Sequence, residues 1–129
     1  MQIQEIQVVF NCIDRSTELS RSTSTDIKQP NQPHEISLVR LNFEDGSMYQ
    51  VDDTYTVIQK GNFTITYLRS EPDNLVVHEG GANTEPAGYD GDVMSLLSKY
   101  KCPISTEQYI GMMGQYVQTM MKLKPLKTS

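Results

Sequence analysis

Apolar and polar positions alternate from the start of the chain. Between residues 3 and 13, Ile6, Val8, Phe10 and Cys12 fall on one side and Gln7, Val9, Asn11 and Ile13 on the other. A period of two built from β-branched residues predicts a strand, and its mixed second face predicts partial cover. Val39, Leu41 and Phe43 repeat the alternation up to Glu44-Asp45-Gly46-Ser47, where Asp-Gly is a strong hairpin signal. Residues 48–52 return. Residues 54–59 and 62–68 flank Lys60-Gly61, with Phe63, Ile65 and Tyr67 facing one way and Thr64 and Thr66 the other. Glu71-Pro72-Asp73-Asn74 is expected to turn the chain into residues 75–78. Connections this short make neighbouring strands antiparallel.

After residue 92 the period changes. Val93, Leu96, Leu97 and Tyr100 share one face of a short predicted helix over 92–100, which Lys101-Cys102-Pro103 breaks. The segment Ser105–Lys124 carries four of the seven methionines and sets Tyr109, Met112, Met113, Tyr116, Val117, Met120 and Leu123 at helical spacing. Ser105 is a good N-cap, with Gln108 placed to complete a capping box and Ile104 to staple onto Tyr109. Lys122 and Lys124 suit the carboxyl end of the dipole, and Pro125 stops the helix. The predicted fold is therefore α+β: an antiparallel β-meander of five to six strands with two C-terminal helices packed on it.

Three segments carry no such pattern. Residues 14–34 include a stretch, 16–25, in which seven of ten positions are serine or threonine. No packed element is expected there; a mobile loop is, or one that wraps a partner. Residues 79–92 form a second irregular stretch, and 125–129 a tail. A length of 129 residues suits one domain spanning 1–129, burying roughly 65–70% of the surface of its unfolded chain.

Composition narrows the function classes. A net charge of −5 argues against a general nucleic-acid binder, which needs a basic footprint on phosphate. Residues 70–98 hold six carboxylates (Glu71, Asp73, Glu79, Glu85, Asp90, Asp92) and no lysine or arginine, whereas 99–129 hold five lysines against Glu107. The amino terminus lacks the features of a signal peptide, no apolar run approaches the ~20 residues of a membrane span, and Cys12 and Cys102 read as lone thiols. A cytoplasmic protein is expected, and the Asn62-Phe63-Thr64 sequon is then chance.

Candidate chemistry is sparse. Gly80-Gly81 fits neither a P-loop nor a dinucleotide fingerprint, and the carboxylates around it would repel phosphate. Asp90-Gly91-Asp92 begins like a calcium loop, but Met94 and Leu96 stand where further oxygen ligands are needed. His34 and His78 are the only imidazoles; a weak enzyme reading pairs His78 with Glu79, Asp90 or Asp92, without a motif that supplies a nucleophile. Glu44-Asp45 and Asp52-Asp53 are expected to cap turns. No catalytic residue, cofactor or metal ligand is therefore assigned.

What is left is surface. Gly111 and Gly114 each cost about 1 kcal/mol in a helix interior relative to alanine, and Ile110, Met113, Val117 and Met121 widen the apolar arc beyond what one sheet needs. Gly111, Met113, Gly114, Val117 and Met121 are thus the expected oligomer interface, most simply of a two-fold dimer. Glu79, Glu85, Tyr89, Asp90 and Asp92 offer an acidic surface with an aromatic anchor, suited to a basic protein partner. The expected function is a non-enzymatic interaction module: an inhibitor, an immunity-type protein or an accessory protein of a virus or mobile element. The alternative is a small-molecule binder with a pocket between the sheet, the 79–92 loop and the helices.

Overall fold

A computed structural model describes residues 2–12, 18–22, 27, 29–30, 33–80, 87–99 and 102–123, with the backbone alone for Cys12 and 18–22. The strands are β1 (Ile3–Cys12), β2 (Glu18–Ser22), β3 (His34–Phe43), β4 (Met48–Asp52), β5 (Tyr55–Lys60), β6 (Phe63–Leu68), β7 (Glu71–Glu79) and β8 (Ala87–Asp90), followed by helices α1 (Val93–Lys99) and α2 (Thr106–Lys122). Every pairing is antiparallel, in the order β2-β1-β3-β4-β5-β6-β7-β8. Seven strands, β1 and β3 to β8, make the expected meander, and β2 adds an eighth along the other side of β1. The architecture is α+β, with more strands than the pattern predicted.

The difference lies in the edges. β2 falls inside the serine- and threonine-rich segment read as loop, pairing Leu19 with Val9 and Ser22 with Ile6. β8 falls inside the 79–92 segment, with Tyr89 opposite Leu75. An edge strand needs only backbone pairing on one side, so neither has to carry an alternating apolar face. The turn expected at 71–74 is displaced as well: β6 and β7 meet at Leu68↔Glu71, so Arg69 and Ser70 form the turn. Pro72, Asp73 and Asn74 then sit where β7 bulges away from β6, between partners Glu71 and Leu75. There Pro72's missing N–H leaves the ladder to β6 intact.

Where alternation was read, it holds. Ile6, Val8, Phe10, Val39, Leu41, Phe43, Ile58, Ile65, Leu75 and Val77 all point to one face and are buried. Against that face lie Val93 and Leu96 of α1, Ile104, and Tyr109, Met112 and Leu123 at α2, in one continuous core. The opposite face mixes half-buried Val9, Leu38 and Val57 with Gln7, Arg40, Gln50 and Thr66, and Arg40 Nε donates to Gln50 Oε1 at 2.7 Å. The β3–β4 hairpin closes as its sequence demands: Gly46 takes φ +87°, where a side chain would strain the backbone, and Ser47 N donates to Asp45 Oδ1 at 2.9 Å.

Candidate functional site

α2 is an unbroken run of 17 residues, about 26 Å long at 1.5 Å per residue. It starts at the expected cap, with Ser105 Oγ accepting from Gln108 N at 3.0 Å, and ends where Leu123 N donates to the carbonyls of Thr119 and Met120. The Gln108 side chain also reaches the sheet, where its Nε2 donates to Asp45 Oδ2 at 3.0 Å and its Oε1 accepts from Lys60 Nζ at 3.1 Å. Lys60 also pairs with Asp45 at 3.5 Å. Asp45 Oδ1 is held in turn by the Ser47 hydroxyl at 2.5 Å. Burial works to raise the Asp45 pKa, but the Ser47 hydroxyl and amide and the Lys60 ammonium outweigh it and hold the carboxyl below its ordinary value of 3.8. This polar tie fixes the amino end of α2 to the β3–β4 hairpin and to the end of β5.

Beneath the helix the sheet presents tyrosines. Tyr67 and Tyr109 place their hydroxyls 3.3 Å apart in the core, and the Tyr49 and Tyr116 rings lie 5.8 Å apart at 50°. Burial, with the neighbouring tyrosine hydroxyls, pushes the Tyr49 and Tyr109 pKa values well up; burial raises Tyr116 too, against the pull of Arg69. These groups stay protonated and structural at neutral pH. With Met112 they belong to the core between sheet and helix.

The far side of α2 is different. Ile110, Val117 and Met121 are 51%, 53% and 75% exposed, Met113 is half-buried, and Gly114 lies between them. Val117, assigned from spacing to the core stripe as well as to its flank, stands in solvent. Thr119 is buried instead, its hydroxyl satisfied by the Gln115 carbonyl at 2.8 Å. A Cβ built on Gly111 or Gly114 would meet nothing within 4 Å. The close approach that would explain two helix glycines is therefore not made by the described part of this chain.

The acidic candidates are dispersed. Glu79 and Asp90 are exposed at the ends of β7 and β8. Tyr89 is half-buried and packs on the core. Asp92 caps α1, its Oδ1 accepting from Ser95 N at 2.7 Å; that bond holds its pKa below the ordinary value. Glu85 lies outside the described residues. No group of three or more potential metal ligands occurs among the described residues.

The imidazoles are separated. His34 is buried, edge-on to Phe10 at 5.2 Å, with Gln29 Nε2 3.3 Å from its Nε2. His78 lies on the opposite face of the sheet beside Thr64, its Nε2 buried without a hydrogen-bond partner among the described residues. Cys102 is a free thiol whose pKa burial raises, which leaves it a poor nucleophile.

Open depressions flank the polar tie. One of about 720 Å³ is lined by Gln2, Glu44, Asp45, Glu107 and Gln108, among others, and another of about 450 Å³ by Lys60, Asn62, Glu79 and Pro103. Both lie open to solvent. No helix among the described residues is long and apolar enough to cross a membrane. The chain matches no protein-family model, no curated protein and no solved structure.

Of the residues that spacing assigned to an oligomer interface, Gly111, Gly114, Val117 and Met121 are exposed and Met113 is half-buried; Ile110, read only as widening the apolar arc, is exposed as well. Sequence reasoning missed the Asp45–Lys60–Gln108 tie, because each partner has a sufficient local reading as turn, hairpin or cap residue.

Proposed function

We propose that this protein is a non-enzymatic interaction module that works through its surface, with the solvent side of α2 as the principal contact. The observation that carries the reading is the set of exposed apolar residues Ile110, Val117 and Met121 along one side of a helix whose other side is committed to the core. Singly exposed apolar residues, such as Tyr55, Val76 and Met94 here, need no explanation. A row of them on one rigid element marks a contact surface. The cytoplasmic placement read from the sequence belongs to the same proposal, as does a role like that of an inhibitor or accessory subunit.

A second contact, for a basic partner, lies along β7 and β8. Exposed Glu79 and Asp90 favour it, and charges there would govern association rate and salt dependence.

The test is quantitative affinity purification from the source cell with the wild-type chain and a Val117→Glu/Met121→Glu variant whose circular dichroism and melting are unchanged. Loss of a stoichiometric partner in the variant is expected. An identical set of bound proteins would refute the α2 surface. Charge reversal at Glu79 and Asp90 checks the second contact by its effect on association rate.

A further inference from the structure

From the register of α2 we infer that its exposed face pairs with the same face of a second copy of this chain, antiparallel across a two-fold axis. This rests on the reading of that face as a contact surface and names its occupant.

The apolar row runs Ile110, Gly114, Val117, Met121, with spacings of four, three and four residues. That is the seam of two helices packed side by side at a shallow crossing angle. Read backwards, the row complements itself. An antiparallel partner centred between residues 115 and 116 sets Ile110 against Met121 and Gly114 against Val117, twice each. The glycine, open within 4 Å of its Cβ position, receives the valine. Gly114 then has the close neighbour that the described chain does not supply.

The flanks agree. Glu107, the acidic residue of the first turn, and Lys122, the basic residue of the last, lie on the same side of the row. Reversal brings Glu107 of each copy beside the partner's Lys122, about two residues or 3 Å apart along the axis. On the other side, half-buried Met113 and Met120 meet their counterparts, and methionine adapts to such a contact. A parallel pair would stack Glu107 on Glu107, leave a hole at paired glycines and align the helix dipoles. The seam therefore selects both the occupant and its direction.

Cysteine cross-linking in a Cys12→Ser/Cys102→Ser background tests it. Ile110→Cys and Met121→Cys proteins are oxidised separately and mixed. In the antiparallel pair residues 110 and 121 of different copies face each other within disulfide reach, roughly 4–7 Å between Cα atoms. Two copies of residue 121 stand about 16 Å apart. The mixture should give a cross-linked dimer and Met121→Cys alone should not. Sedimentation of the wild type should show twice 14.6 kDa, with Gly114→Leu raising the dissociation constant at least about tenfold.

Cross-linking of Met121→Cys to itself but not to Ile110→Cys would overturn the register. A wild-type monomer at all accessible concentrations would overturn the second copy. If Val117→Glu/Met121→Glu still lost a different partner, the interaction-module reading would survive that result; if it lost none, both would fall.

Discussion

Met112→Ala and Val117→Ala lie about 1.4 turns of α2 apart and should differ sharply in cost. Met112 is fully enclosed between helix and sheet. Truncating it removes the thioether end and leaves a cavity that the neighbouring tyrosines and strands cannot fill without moving. Such large-to-small changes cost about 2–5 kcal/mol. Taking ~3 kcal/mol, and about 3–5 °C of melting temperature per kcal/mol in a domain of this size, the loss is roughly 10–15 °C. With a urea dependence near 2 kcal/mol/M, the midpoint should fall by about 1.5 M. Val117 is 53% exposed, and alanine is the better helix former by roughly 0.5 kcal/mol. Its variant should match or slightly exceed the wild type in dilute solution. Urea melts at low protein concentration and at a tenfold higher one complete the assay, since self-association adds stability only as concentration rises. Equal destabilisation by both substitutions when dilute, or a wild-type midpoint for Met112→Ala, would refute the orientation of α2.

The raised pKa values of Tyr49 and Tyr109 tie stability to alkaline pH. Their contribution is fully present below the ordinary tyrosine value of 10.0 and is lost as pH rises towards the folded values, so tyrosinate absorbance from these rings should appear only with unfolding. Early titration of all seven tyrosines in a folded protein would contradict it. Asp45 has the opposite sign: its pKa is lowered, so its contribution is present above 3.8 and lost as pH falls through the folded value. Carboxyl titration by NMR should show the Asp45 midpoint rising in Lys60→Met, and an unmoved midpoint would remove Lys60 from the tie. Gly111→Ala, which adds a methyl where nothing lies within 4 Å, should stabilise the protein by about 1 kcal/mol in denaturant melts; a loss of stability would mean that the site is filled.

How much of this was legible depended on where the information is stored. Ile6, Val8 and Phe10, or Phe63, Ile65 and Tyr67, announce their face because burial of one side of a sheet imposes a period of two on the sequence. Ser105, Tyr109, Met112 and Leu123 announce α2 in the same way, through a cap and a helical stripe. β2 and β8 announce nothing. Their existence depends on backbone groups offered by β1 and β7, and a row of unpaired amides has no side-chain signature. Pro72 misled for a related reason: proline signals a turn locally, whereas its place at the β7 bulge follows from where Leu68 and Glu71 pair. In the candidate site, the apolar excess of α2 was readable as an excess. Which residues faced out was not, because Val117 and Thr119 exchange sides on a rotation of the helix that spacing alone leaves open.

The polar tie settles that rotation. Two apolar arcs, one through Tyr109 and Met112 and one through Ile110, Val117 and Met121, compete to face the sheet, and hydrophobicity alone discriminates poorly between valine inside and threonine inside. Gln108 breaks the near-degeneracy. Its amide reaches both Asp45 and Lys60 only when the helix presents this side to the β3–β4 hairpin, and Ile104 and Leu123, buried at either end, hold the same rotation. A turn of one residue, about 100°, would bring Val117 towards the sheet, release the amide of Gln108 and expose Met112. Thr119 can stay inside because its hydroxyl bonds back to Gln115, which lowers the cost of burying a polar group where an aliphatic one was available. The exposed row on α2 is thus the consequence of a rotation specified by polar contacts, and the face it turns outward is the one whose sequence, read in reverse, fits itself.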